Sequence, residues 1–461
     1  MIIILAIDLL LLLVVAISFR SFTWGYFLSI CWKIIIPYVA RFQIGGISIN
    51  ANDILCIGLI GAYFVNRGKL NSRLSPKIRQ LFGVYIVSTF ILIILSSGVV
   101  PYSHQFQFSL KGFLLLEICY LILGFIALQN IKGIRFFYIL LTLSSIAGVY
   151  GILVYFLKVN ILVDTFSLIY AGSENQFSFF MEEIRGGLEG RTSGTFGHPL
   201  AWGQFWNILV PLVYLYRNRI GKYWFPVILI IGVTNMLLCG SRTALVSLFV
   251  FLLFVVITLS IKKKIKIGLA CVIVYSIMFV QLGNNRQYKG IFEYVQSAVF
   301  FWDDSYSQKA AIGGSNTDMR QRQLEEAIRL MNTNPIAGIG LDYQYYSIDH
   351  HPNSILLGFE SILFKKLVEQ GLTGMLIFYY LIYLYYQFYR KRLRTKEENL
   401  IFLGYILSFM VSSHMTAIQG LNWLFFLLLP LLTLYSSRNQ VKNYDTKNNS
   451  LLLVWWKSFA R

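Results

Sequence analysis

The sequence predicts an all-α polytopic integral membrane protein with about 12–13 transmembrane helices and two long extracytoplasmic loops. Three observations predict it. Of the 461 residues, 56% are hydrophobic and 13% charged, where soluble domains carry about 25% charged residues. Apolar runs of about 20 residues, the length a helix needs to cross the hydrocarbon core, recur along the chain. Basic residues crowd into the short connections between these runs, as cytoplasmic loops do.

An N-terminal bundle over 1–157 holds candidate spans at 2–19, 47–66, 80–98, 110–129 and 135–157. A further candidate, 22–40, is interrupted by Lys33 and Pro37, so it either crosses or lies in the interface. The opening "MIIILAIDLLLLLVVAIS" has neither a basic leader nor a small-residue cleavage site, and reads as a retained span. The first long loop, 158–199, precedes central spans at 200–216, 223–239, 243–260 and 265–282. The second long loop covers 283–371, spans at 372–389, 400–416 and 421–436 follow, and 437–461 form a tail.

Charge sets the orientation. The segments 67–79, 132–135, 217–222, 262–266, 390–398 and 438–461 hold 24 of the 40 basic residues and three acids, Glu397, Glu398 and Asp445. They alternate correctly with the spans, so all six are expected in the cytoplasm, the C-terminal tail among them. The two long loops carry 15 of the 21 acidic residues. The net charge of +19 is therefore mostly a topological bias and does not call for nucleic acid. The five cysteines, Cys31, Cys56, Cys119, Cys239 and Cys271, lie in or beside apolar runs and read as small core residues, neither a disulfide framework nor a metal site.

Within the second loop, "DMRQRQLEEAIRLMNTNPIAGIG" predicts a helix. Asp318 can cap it, Leu324, Ala327, Ile328 and Met331 recur at helical spacing, and Asn334-Pro335 ends it. Loops of this length are usually functional.

The residues able to carry chemistry lie on the outer side of this topology. Arg191 precedes a span, Arg242 sits in the turn "CGSRTALVS", and Arg320, Arg322 and Arg329 lie on the loop helix. Arginine's planar fork suits a diphosphate, so these side chains can hold a lipid-linked pyrophosphate at the membrane surface. Arginines at helix ends can equally snorkel to head groups. All five histidines fall on the same side: His104, His198, His350, His351 and His414. A neutral histidine beside an arginine-held phosphate can take a proton from a sugar hydroxyl, or donate a hydrogen bond to a phosphate oxygen. His350 and His351, with Asn353 and Ser354, form the densest such stretch. Metal binding is not expected, because no ligand spacing supports it. No nucleotide-binding glycine loop or nucleophile elbow is present, so the energy source is expected to be an activated substrate with no cofactor. Two charges fall mid-span, Asp8 and Glu117, and each reads as a paired or lumen-facing structural residue.

Four landmarks in order resemble the O-antigen ligase and polymerase superfamily, in its capsular or exopolysaccharide repeat-unit polymerase branch: "GRTSGTFGHPLAWG", "GSRTAL", "NPIAGIG" and "HPNSILL...EQGLTGM". The likeness covers roughly 180–390. It implies an integral-membrane, lipid-sugar glycosyltransferase (GT-C-like) architecture in the cell membrane. It also implies transfer of a glycan from undecaprenyl diphosphate to a hydroxyl of an incoming lipid-linked repeat unit, beside a flippase and a chain-length regulator of the same pathway. His351 and His350, with Arg191, are the catalytic candidates on this reading; Arg320, Arg322, Arg242, His198, Arg329 and Asn353 are the substrate-binding ones. Pro352 stands between the histidine pair and Asn353, so the two histidines compete for one role. A ligase would share the donor chemistry. A lipid-linked oligosaccharide flippase would instead have short loops and a charged central cavity, and a scaffold would not need outer arginines beside histidines.

Overall fold

A computed structural model describes residues 2–37, 40–44, 47–71, 74–130, 135–167, 184–185, 188–218, 220–284, 289–300, 303–309, 317–350, 353, 355–356, 361–391, 393 and 395–416. The span expected at 421–436, the tail expected in the cytoplasm and His351 lie outside these residues. Every other expected span falls on a helix, and the fold is an all-α membrane protein with, among the described residues, two short β-hairpins. Among the described residues, four helices are long and apolar enough to cross a membrane: Pro76–Leu95, Tyr102–Asn130, Phe136–Leu157 and Ile362–Arg390. Trp224–Leu238 and Arg242–Thr258 are shorter apolar helices.

The N-terminal bundle pairs α1 (Ile2–Arg20) with α2 (Phe22–Ile35) across the single residue Ser21. The interrupted candidate thus becomes a helix of 14 residues that stops before Pro37, because proline disfavours the helical conformation in the residue it follows. The span expected from 47 begins four residues later. Residues 47–50 form strand β2 (Ile47–Asn50), antiparallel to β1 (Arg41–Ile44), and Asn50 then caps α3 (Ala51–Asn66) by accepting from the Asn52 amide at 2.8 Å. Helix α4 is Pro76–Leu95, and Tyr102–Asn130 is continuous but wound as a π-helix over Ser109–Cys119.

At the centre stands Pro199–Tyr216, with Trp202, Phe205, Trp206, Ile208 and Leu209 fully buried. A helix apolar all round is one enclosed by protein. Trp224–Leu238, Arg242–Thr258 and Lys396–Met415 surround it. Gly404 lets the last two cross closely, since a Cβ there would lie 2.5 Å from that of Phe254.

The second long loop is folded. It holds helices Lys289–Val299, Asp304–Lys309, Thr317–Met331 and Tyr343–His350. The helix expected at Asp318 starts one residue earlier, so Asp318 sits in the first turn, where its charge suits the helix dipole, rather than at the cap. The span expected from 372 is the second part of one element, Ile362–Arg390, broken at Gly371 (φ 64°).

That break is held by backbone. The Ile339 amide donates to Val368 O at 2.8 Å and the Leu372 amide to Pro335 O at 2.9 Å. Gly338 O and Ile339 O accept from the Ser97 and Val100 amides at 3.1 and 3.3 Å. The glycines of "NPIAGIG" and "EQGLTGM" thus form one lock that ties the second long loop to the end of Pro76–Leu95 and to the kinked helix.

Candidate functional site

The segment after Gly190 is drawn into the bundle by its own hydroxyls. Thr192 Oγ1 donates to Gly151 O at 2.7 Å, Thr195 Oγ1 to Ile34 O at 2.6 Å, and the Thr192 amide to Leu238 O at 3.1 Å. Arg191 is consequently 2% exposed, and its Nε donates to Cys239 O at 2.9 Å. Gly240, at φ 62°, permits this: a Cβ there would lie 3.1 Å from Arg191 Nε. A guanidinium at the C-terminal end of Trp224–Leu238 also suits that helix's dipole.

The turn continues through Ser241, whose Oγ accepts from the Ala244 amide and starts the helix at Arg242. Thr243 Oγ1 accepts from Thr416 Oγ1 at 3.0 Å, and Arg320 Nη2 reaches Met415 O at 3.5 Å. Arg191, Arg242 and Arg320 are therefore gathered at one end of the bundle by an unbroken chain of contacts. They come from three stretches far apart in sequence. His198 lies nearby as the cap of Pro199–Tyr216, its Nδ1 accepting from the Leu200 amide at 3.2 Å. That bond orients the ring and gives it a structural task.

The other candidates separate from this corner. Arg329 is forked onto Glu326, with Nε–Oε2 at 2.7 Å and Nη2–Oε1 at 2.6 Å. Asn353 Nδ2 donates to Glu326 Oε1 at 2.7 Å, and Tyr343 shares a hydrogen bond with Asn353. The Arg329 hydrogen bond, followed by that of Asn353, holds the Glu326 carboxyl below its ordinary range. Arg322 is exposed on the same helix. His350 is exposed, stacked on Tyr346 with ring centroids 4.2 Å apart, and its Nδ1 lies 3.0 Å from Tyr346 O.

A glutamate held below its ordinary range stabilises the fold above that range, and the contribution is lost as pH falls through the lowered value. Glu326→Gln is therefore expected to lower the melting temperature at neutral pH, with the difference from the parent shrinking below about pH 4. Thermal unfolding of the detergent-solubilised protein at both pH values checks this.

Sequence reasoning missed a second polar cluster. His104 Nε2 lies 3.1 Å from Asp342 Oδ2, and Asp342 is buried at a positive φ of 65°. Burial pushes the Asp342 carboxyl up, while the His104 hydrogen bond and the charge of Lys365 pull it back. Lys365 itself pairs with Glu369 at 3.6 Å, both buried. The four-residue spacing of Lys365 and Glu369 was a legible signal; the meeting of His104 with Asp342, 238 residues apart, was not.

Residues 227–379 match the family described as O-antigen ligase. The match spans 153 of the 461 residues, a third of the chain. The match supports the likeness to the O-antigen ligase and polymerase superfamily over this stretch and does not separate its branches. The O-antigen ligase match takes in Arg242, the arginine-bearing loop helix, the glycine lock and the first part of the span after Gly371, while Arg191 and His198 precede it. No curated protein matches the chain.

Proposed function

We propose that this protein is a multi-pass glycosyltransferase of the cell membrane, with its C-terminus in the cytoplasm, that polymerises undecaprenyl-diphosphate-linked repeat units on the outer face. The observation that carries the reading is the gathering of Arg191, Arg242 and Arg320 at one end of the bundle. Breaking a sugar–pyrophosphate bond requires stabilising the charge that leaves, and fixed cations do this without reorganising. Arg242 adds to the case, because a cation in the first turn opposes its own helix dipole and an anion bound there relieves the conflict. In this role Arg191 and Arg320 grip the diphosphate, the outer loop carries the acceptor, and His351 receives the acceptor's proton. A flippase and a chain-length regulator of the same pathway are the expected partners.

The family's description favours a second reading, a ligase that passes finished glycan to a lipid or protein acceptor. Deleting the gene and profiling glycolipids separates the two. A polymerase leaves single repeat units on the carrier, and a ligase leaves full-length polymer on the carrier but none attached. Normal, attached polymer in the deletion strain defeats both.

A further inference from the structure

Helix Tyr343–His350 and His104 make a surface that the pyrophosphate corner does not use. Tyr346 meets two imidazoles, His350 stacked at 4.2 Å and 16° and His104 edge-on at 5.4 Å. The His104 side chain is 36% exposed, while the Asp342 carboxylate behind it is 7% exposed. Asp342 Oδ2 faces Nε2, and in the neutral tautomer that carries its proton there Nδ1 is an acceptor. Tyr345 is 60% exposed, with the Lys365 ammonium 5.8 Å from its ring centre. A row of rings along the helix, exposed at Tyr345 and His350 and half-buried at Tyr346, beside a hydrogen-bonding imidazole matches a pyranose, which has apolar C–H faces and a rim of hydroxyls. A lipid-anchoring aromatic would have no need of a carboxylate-fixed imidazole at its edge.

The position fits as well. From Arg320 to Glu326 the loop helix runs six residues, about 9 Å. Glu326 then holds Asn353, which bonds Tyr343, the neighbour of Asp342. A glycan whose diphosphate lies at Arg320 reaches this row only through sugars further along its chain, so the row suits glycan binding rather than the reacting atoms.

We propose that His104, Asp342, Tyr345, Tyr346 and His350 form a sugar-binding platform for the oligosaccharide part of the substrate. A pyranose ring lies on the exposed aromatic faces, and a sugar hydroxyl donates to His104 Nδ1. The proposal rests on the glycosyltransferase reading for its choice of ligand, and the test keeps the two apart.

The probe is the oligosaccharide released by mild acid from the lipid-linked pool of cells lacking the protein. Its binding to the purified full-length chain in nanodiscs is measured by calorimetry. Tyr345→Ala, at an exposed position, and His104→Gln, of similar size, are each expected to weaken binding roughly ten-fold, the loss typical of one good contact. In transfer assays with intact lipid-linked units, both should raise the half-saturating concentration about ten-fold while the maximal rate stays within about two-fold. The Arg320 variant should do the reverse. Unchanged binding in both variants, or no binding by the parent chain, overturns the platform. Binding that the variants lose, in a protein that transfers no lipid-linked glycan, leaves the platform standing and removes the glycosyltransferase reading.

Discussion

Cells expressing Arg191→Ala, or the Arg320→Ala/Arg322→Ala double variant, are expected to accumulate lipid-linked single repeat units and to make little long polymer. A charge-assisted hydrogen bond contributes about 1.5–3 kcal/mol. Losing one at the transition state slows transfer roughly ten- to a hundred-fold or more. Arg191 needs a companion variant, because it is 2% exposed and its Nε also anchors Cys239 O. Arg191→Lys keeps the charge and most of the stem but not the fork, so it should remain in the membrane while restoring activity only in part. Arg329→Ala is the informative contrast: its fork is already committed to Glu326, and it should polymerise normally. The measurement is a glycolipid profile at matched membrane levels. Normal polymer from both Arg191→Ala and the double variant would sink the pyrophosphate corner.

Gly371→Ala and Gly338→Ala are expected to cost the cell most of its folded protein. Both residues sit at positive φ, 64° and 74°, where a side chain costs about 1–2 kcal/mol. Both also face backbone rather than a side chain that can move aside. A Cβ on Gly371 would lie 2.6 Å from the Pro335 and Ile336 carbonyl oxygens, and one on Gly338 2.5 Å from the Gln370 amide nitrogen. Relief requires parting the turn at 335–340 from the kinked helix, which breaks the hydrogen bonds of the lock. Gly268 is the control, because a Cβ there meets nothing within 4 Å. In a helix Gly→Ala gains up to about 1 kcal/mol, so Gly268→Ala should be neutral or stabilising. Membrane abundance and detergent melting of the three variants check this. Gly371→Ala and Gly338→Ala proteins as abundant and as stable as the parent would show that the lock is dispensable.

What the sequence by itself determined is what lipid imposes locally. Hydrocarbon demands a run of apolar residues with every backbone group bonded inside the segment, so the helices were legible one at a time. The misplaced ends, at Ile36, at 47–50 and at Gly371, lie where a proline, a hairpin and a glycine kink overrule hydropathy. The four motif landmarks were legible as places. The glycines of two of them turned out to serve each other, since 338 and 371 close one lock.

Only the tertiary structure decided which polar groups meet. Arg191 reaches Cys239 across 48 positions, Arg320 reaches Met415 across 95, and His104 reaches Asp342 across 238. Five outer arginines looked alike in the sequence. Packing sends three to one corner, leaves Arg322 exposed and commits Arg329 to Glu326 within its own helix. Hydrophobic periodicity specifies which face of a helix is covered and is blind to its partner; the partner is chosen by the packing of whole helices, and the polar side chains at their ends bond to whatever that packing brings within 3 Å or so.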